Sequence, residues 1–233
     1  NEDSLEADFA VVQAEFDLPI GHPDGVVDEA AALPAVEDGA AWPDRTDLRD
    51  LPTITIDPRD ARDFDDAVSL EMLDGGRSRI GVHIADVSAY VQPGSLIDQS
   101  AESRGTSIYL PGRVIPMLPE RLANDLCSLR PEEDRLAKSV FMVFSSEGKL
   151  IETEICRSVI RSKRRFTYGE ALAILDSLEG RDVPAGDLPP DRADYEPILE
   201  RMAFLRDCLK DARTRRGALF LDLPQLKIRV GEN

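Results

Sequence analysis

The sequence predicts an α/β (α+β) fold in which a mixed, largely antiparallel sheet is flanked by helices. Three observations predict it. Two stretches read strand–turn–strand: "AVSLEML", "DGGRS", "RIGVHIADVS" over 67–88, and "KSVFMVF", "SSEGK", "LIETEICRSVI" over 138–160. The last third changes to helical spacing of its apolar residues. The composition, 42% hydrophobic and 31% charged over 233 residues, is that of a globular chain able to bury a sizeable core.

The elements follow in order. In "SLEADFAVVQAEFDLP", Leu5, Phe9, Val12 and Phe16 fall near helical spacing, with Ser4 placed to cap and Pro19 to stop the helix. "GHPDGVVDEAAALPAVEDGAAWPDR" is rich in Ala, Pro, Gly and acid, and reads as a connector with Trp42 as a packing anchor. Residues 1–50 are therefore expected to form a helix and acidic connector, and 51–233 the domain proper. "TITI" (53–56) is a short strand beside the first hairpin. Prolines across 95–136 suggest loops with short helices. "TYGEALAILDSLEG" opens with Thr167 and Glu170 at capping-box spacing and ends near Gly180. After a Pro-rich loop, "EPILERMAFLRDCLKDARTRRG" sets Ile198, Met202, Leu205 and Leu209 on one face. "LFLDLPQLKIRVGEN" (219–233) is one more strand-like run. No internal repeat is present.

No apolar run approaches the ~20 residues that span a bilayer, so no membrane association is expected. Residues 1–17 are acidic and lack a basic leader. Cys127, Cys156 and Cys208 are odd in number and lack zinc-like spacing, which fits reduced core thiols and a cytoplasmic location. The net charge of −17 argues, taken whole, against nucleic acid, but it is unevenly spread. Residues 1–66 carry 19 acidic and 4 basic residues, whereas 67–233 carry 26 and 24. A groove can therefore be lined independently of the total.

The chemistry concentrates in "TITIDPRDARDFDDAV" (53–68), which places Asp57, Asp60, Asp63, Asp65 and Asp66 between two apolar runs. Crowded carboxylates raise one another's pKa unless a cation neutralises them, and hard oxygen donors favour Mg²⁺ or Mn²⁺. Asp57 closes a strand. A kink in the loop would let Asp63, Asp65 and Asp66 converge with it on one or two ions. A solvated acidic loop is the ordinary explanation of such a run, but Phe64 and the immediate entry into "AVSLEML" count against it. An EF-hand fails, because Val68 occupies the position of its required glycine. "Asp63-Phe64-Asp65" also fits the Asp-x-Asp of sugar transferases, a pattern too short to carry weight. Aspartate-held divalent ions suit in-line attack of water on a phosphodiester.

"DLRDLPTITIDPRDARDFDDAVSL" (47–70) resembles the signature of the ribonuclease II and ribonuclease R exoribonucleases, closer to the ribonuclease R branch. "GVHIADVSAYVQPGSLIDQSAESRGTSIYLPGRVIPMLPERLANDLCSLRPEEDRLA" (81–137) continues the resemblance, and "RRGAL" extends it more weakly. It implies an RNB-type catalytic domain that degrades single-stranded RNA from the 3′ end, hydrolytically and with Mg²⁺, releasing nucleoside 5′-monophosphates. Mn²⁺ is the alternative ion. Four family aspartates fall on Asp57, Asp63, Asp65 and Asp66, as the catalytic and metal-binding set. Asp57 and Asp66 are implied as ligands and Asp63 as support. Asp65 is the carboxylate whose change to Asn stops cleavage and spares RNA binding; Asp60 lies outside the set. Tyr109 matches a tyrosine that stacks on a base near the 3′ end. Arg104 and Arg113, beside it, are expected to touch the RNA backbone. The basic clusters 161–166 and 212–217 fit phosphate contact or a solvated edge equally. His83 reads as structural and Asp86 as a turn residue.

The family also carries OB-type modules at both ends and a later Ser-Pro-Ile-Arg-Arg-like stretch, none of which is found in these residues. The chain is thus expected to be the front part of a longer, monomeric enzyme, incomplete at its C-terminus and nearly inactive alone. A non-catalytic RNA-binding or regulatory homologue is the alternative. Retention of four mutually repelling aspartates argues against it.

Overall fold

Alternating β-branched and small residues form the strands of this protein, and apolar stripes form its helices. The computed structural model describes residues 2–184 and 186–221. In chain order it contains α1 (Glu2–Glu15), α2 (Val26–Ala31), β1 (Thr46–Asp57), β2 (Asp66–Met72), β3 (Ser78–Ala85) and α3 (Leu96–Arg104). There follow β4 (Ile108–Leu110), β5 (Arg113–Ile115), β6 (Asp134–Phe144), β7 (Leu150–Thr167), α4 (Tyr168–Leu178) and α5 (Glu196–Arg215). The run expected as a strand over 219–233 lies, from 222 onward, outside the described residues. Two compact units form: 1–35 with 87–125, and 36–86 with 126–221.

In the larger unit β1, β2, β3, β6 and β7 close into a barrel in that order. Four neighbouring pairs are antiparallel, and β1 runs parallel to β7. The sheet is mixed and largely antiparallel, as expected; its closure is new. Alternation fixes which face of a strand is buried but not whether two edges will meet. β1 starts at Thr46 rather than Thr53, and β7 runs on through "RSKRRF" to Thr167. Charged residues interrupt the apolar pattern in both places, and cross-strand pairing overrides it.

β1 is buried on both faces. Ile54, with Ile56 and Val68 beside it, packs on Phe166, Ala171, Ile174 and Leu199, which joins the barrel to α4 and α5. Thr53 and Thr55 point the other way and are fully buried. A barrel of five strands has a narrow interior, and here it holds small and polar groups. Ser69 Oγ lies 2.9 Å from His83 Nε2, and His83 Nδ1 lies 2.7 Å from Ser139 Oγ. Ser139 Oγ meets Ser158 Oγ at 2.6 Å, and Ser158 donates to the Ala137 carbonyl. Gly81 makes this chain possible: a Cβ there would stand 2.4 Å from Ser69 Oγ and 2.7 Å from His83 Nε2. His83 is therefore structural, as its apolar flanks suggest.

The capping box of α4 forms as its spacing predicts: Thr167 Oγ1 accepts from Glu170 N, and Glu170 Oε2 accepts from Thr167 N. On α5, Ile198, Met202 and Leu205 pack against Leu70 and Phe144. The stripe stops short of Leu209, which is exposed, and Leu199 joins the other cluster. The acidic connector is fastened by ion pairs. Buried Asp134 accepts from Gly39 N, Arg49 Nη1 and Arg161 Nε at 2.8, 3.0 and 2.7 Å. Buried Asp86, read from sequence as a turn residue, pairs with Arg45 at 2.7 Å and lies near Lys138 and Arg157.

In the smaller unit α1 begins by Glu2, so Ser4 lies inside the helix rather than at its start. Ser95 caps α3, and Glu29 of α2 accepts from the Leu96 and Ile97 amides at its start, where a helix favours negative charge. Residues 108–115 were expected to be loop but form the hairpin β4–β5, turning on Pro111-Gly112 with Gly112 at φ +77°. Among the described residues no helix is long and apolar enough to cross a membrane. The three cysteines are unpaired. Only Cys127 is a core thiol, and burial, with Asp86 nearby, pushes it up to about 12; Cys156 and Cys208 are half-buried.

Burial, aided by the charge of Arg79, lowers His83 to about 4 from an ordinary 6.5. A histidine harder to protonate when folded costs no stability above pH 6.5, and stability is lost as pH falls from 6.5 to about 4. The expected loss, read by urea unfolding across this window, is about 3 kcal/mol. His83→Gln should flatten this part of the profile.

Candidate active site

The site forms where β1 ends and β2 begins. The pairs Thr53↔Ser69 and Ile54↔Val68 fix the register of these antiparallel strands. The eight residues between are a loop without regular secondary structure, yet their backbone is anchored throughout. Ala61 N donates to the Pro58 carbonyl. Ser128 Oγ donates to the Arg62 carbonyl at 2.8 Å and accepts from Phe64 N at 3.2 Å. Leu129 N donates to the Phe64 carbonyl, and Ala85 N to that of Asp65. The Phe64 side chain is buried, a contribution of about 2–3 kcal/mol. From β7, Arg165 Nη2 donates to the carbonyls of Pro58 and Arg59 at 2.6 and 2.8 Å, and its guanidinium lies 5.0 Å from the Phe64 ring centre. This is not the conformation of a solvated acidic run.

The loop holds carboxylates against their own repulsion. Asp57 is 6% exposed, and its Oδ2 is buried without a hydrogen-bond partner. Burial raises its pKa, and the charges of Asp66 and Asp65 raise it further. The neighbouring Thr55 hydroxyl and the Arg165 cation offset part of this, although Thr55 Oγ1 also lacks a partner in hydrogen-bonding geometry. Asp66 is raised as well, by desolvation and then by Asp65. Asp65 itself is exposed, its carbonyl fixed by Ala85. Asp63 is half-buried, and Asp60 is exposed in the loop.

A divalent cation fits this donor set. The donors are hard oxygens, one is an orphaned buried oxygen, and two carboxyls are hard to ionise without a neutralising charge. Among the described residues, no three acidic, histidine or cysteine side chains converge around one ion, so the convergence of all four aspartates expected from the sequence is not seen.

The remaining candidates lie in the smaller unit. Tyr109 is on β4, opposite Val114, and is 66% exposed. Arg113, on β5, lies 3.4 Å from Glu6 and 5.3 Å from the Phe9 ring centre. Arg104 donates to the carbonyls of Gly21 and Pro116, so its guanidinium braces this unit. The cluster 161–166 has internal duties: Arg161 binds Asp134, Arg164 binds Asp191 and Glu170, and Arg165 holds the aspartate loop. Sequence reasoning missed Ser128, which carries no local signal. It placed Arg165 in a basic cluster without seeing its target.

The sequence profile of the RNB domain matches residues 45–233. The chain belongs to the RNB domain family. Among its relatives, ribonuclease R of Chlamydia trachomatis is 46% identical over 224 residues, which is 96% of this chain and 30% of that protein. The structure of Mycoplasma genitalium RNase R in complex with ribose-methylated single-stranded RNA superposes with a TM-score of 0.82 at 29% identity, covering 97% of this chain and 34% of that one. The same enzyme in complex with double-stranded RNA gives 0.81. The chain spans about a third of the length of these relatives. The α+β fold and the resemblance to ribonuclease R are as the sequence led us to expect.

A carboxyl whose folded pKa lies above its unfolded one destabilises the fold at every pH where it is charged, and the penalty fades as pH falls through that range. Asp57→Asn is therefore expected to stabilise the metal-free protein at pH 7 by about 1 kcal/mol, or about 2–4 °C in the thermal midpoint. Differential scanning calorimetry in EDTA reads this directly.

Proposed function

We propose that the protein to which this chain belongs is a 3′-to-5′ exoribonuclease that hydrolyses single-stranded RNA processively to nucleoside 5′-monophosphates. The observation that carries this reading is the aspartate loop of an RNB-family chain. It is rigidly anchored, its Asp57 oxygen is buried without a partner, and Asp57, Asp65 and Asp66 share one electrostatic field. A structure that only bound RNA would gain nothing from such a set, which repels phosphates as well as itself. The solved complexes of M. genitalium RNase R with RNA support the substrate class.

Asp57 and Asp66 would hold Mg²⁺, with Mn²⁺ the alternative. Bound there, in a two-ion arrangement, the metal would activate water and neutralise charge on the scissile phosphate. Asp65 presents an exposed carboxylate from a fixed backbone, suited to orient the attacking water and accept its proton. Asp63 supports the loop. Tyr109 offers an exposed ring on a rigid hairpin, a stacking platform that tolerates any base. Arg113 would exchange its exposed pairing with Glu6 for a backbone phosphate. Arg104, bound to two carbonyls, supports this hairpin from behind. Unpaired thiols suit a reducing, cytoplasmic setting.

A 3′-end assay with labelled single-stranded RNA tests the reading in the full-length protein. EDTA should abolish cleavage and added Mg²⁺ restore it. Asp65→Asn should lower the cleavage rate by about 10²-fold or more and leave RNA affinity unchanged. Cleavage that survives this change would remove Asp65 from the mechanism. RNA binding with no Mg²⁺-dependent cleavage in the wild-type protein would instead mark a non-catalytic homologue. Tyr109→Ala should cost about 1–3 kcal/mol of binding at the 3′ end and lengthen the final product, visible on a sequencing gel.

A further inference from the structure

Three features converge on one residue outside the carboxylate set. First, the register of the parallel pair β1–β7 places Arg165 beside Thr55, two residues before Asp57. Second, its Nη2 donates to two successive carbonyls, those of Pro58 and Arg59, immediately after Asp57. Third, its guanidinium lies over Phe64, immediately before Asp65. One cation therefore touches the loop at both ends, next to the residues whose carboxylates must stay close. The anchoring from Ser128, Leu129 and Ala85 acts on residues 62–65; the segment after Asp57 is held by Arg165 and by the turn bond within the loop from Ala61 N to the Pro58 carbonyl. Pro58 has no amide hydrogen with which to bond in its own right.

We propose that Arg165 is a positioning residue for metal binding: it holds the first half of the aspartate loop so that Asp57 stays within reach of Asp65 and Asp66. The inference rests on the proposed metal role of those aspartates. A guanidinium suits the task because it is planar, permanently charged and able to bond one carbonyl pair while stacking on a ring. Lysine keeps the charge but lacks the plane and the fork. Support of this kind behind metal ligands is typically worth 10–100-fold in metal affinity.

The test uses Arg165→Met and Arg165→Lys in the full-length protein, with Mn²⁺ as the probe. Two quantities are read: Mn²⁺ affinity by electron paramagnetic resonance, and amide hydrogen exchange of residues 58–66 by mass spectrometry. Arg165→Met is expected to weaken Mn²⁺ binding about 10-fold or more and to speed exchange in 58–66, with exchange across β2 and β3 unchanged. Arg165→Lys should fall between it and the wild type. Unchanged Mn²⁺ affinity, or unchanged exchange in the loop, overturns the proposal. Faster exchange across the whole barrel overturns it too, since Arg165 would then be a general stabiliser. If the wild-type protein binds no Mn²⁺, the metal reading itself fails, while the exchange data still report whether Arg165 clamps the loop.

Discussion

The parallel pairing of β1 with β7 is the constraint on which the rest of the larger unit depends. These strands lie about a hundred residues apart in the chain, and their union closes the barrel. Closure leaves no free sheet edge, and it brings the end of β1 level with the end of β7, Asp57 opposite Thr167. Three consequences follow at that level. Thr167 starts α4 through its capping box, Arg165 reaches the aspartate loop, and Phe166 enters the core beside Ile54. Packing, helix initiation and the site are thus set by one register.

The barrel interior answers a problem of volume. Five strands enclose little space, and serines, threonines, a glycine and one neutral histidine fill much of it, with the Phe141 ring packed edge-on against His83. Each buried hydroxyl in the Ser69–His83–Ser139–Ser158 chain has a partner, which keeps the desolvation cost low. Asp57 continues the inward series of Thr53 and Thr55 to the barrel's end, and there the pattern breaks. Its Oδ2 has no partner, and like charges stand near it. Thr55 Oγ1 beside it is also unpartnered, and two unsatisfied oxygens side by side at the barrel's end are what a site arranged for a ligand would leave.

The excess negative charge of the first 66 residues is handled differently. Within the connector, Asp38 pairs with Arg161 and Asp44 with Arg157, both arginines far along the chain. The buried pair of Arg45 with Asp86 ties the start of β1 to the end of β3. Most of these arginines are exposed or half-exposed, so their energetic worth is small, and their effect is to fix the path of the connector. In the basic cluster 161–166, Arg161, Arg164 and Arg165 are occupied by such internal contacts.

The sequence by itself determined the existence of the five barrel strands, their two hairpins, the α4 cap, the structural role of His83 and the candidacy of the four aspartates. All of these are local. Period-two alternation, Gly-rich turns, capping spacing and a dense run of like charge are written in neighbouring residues. What only the tertiary structure decided was barrel closure, the polar lining, the β4–β5 hairpin around Tyr109 and the bracing role of Arg104. It also decided the burial of Asp57 without a partner for its Oδ2, and the grip of Arg165 and Ser128 on the aspartate loop. Each of these depends on contacts between residues that are distant in sequence or on a register between strand edges. A side chain's own neighbours carry no record of which remote carbonyl or carboxylate it will meet.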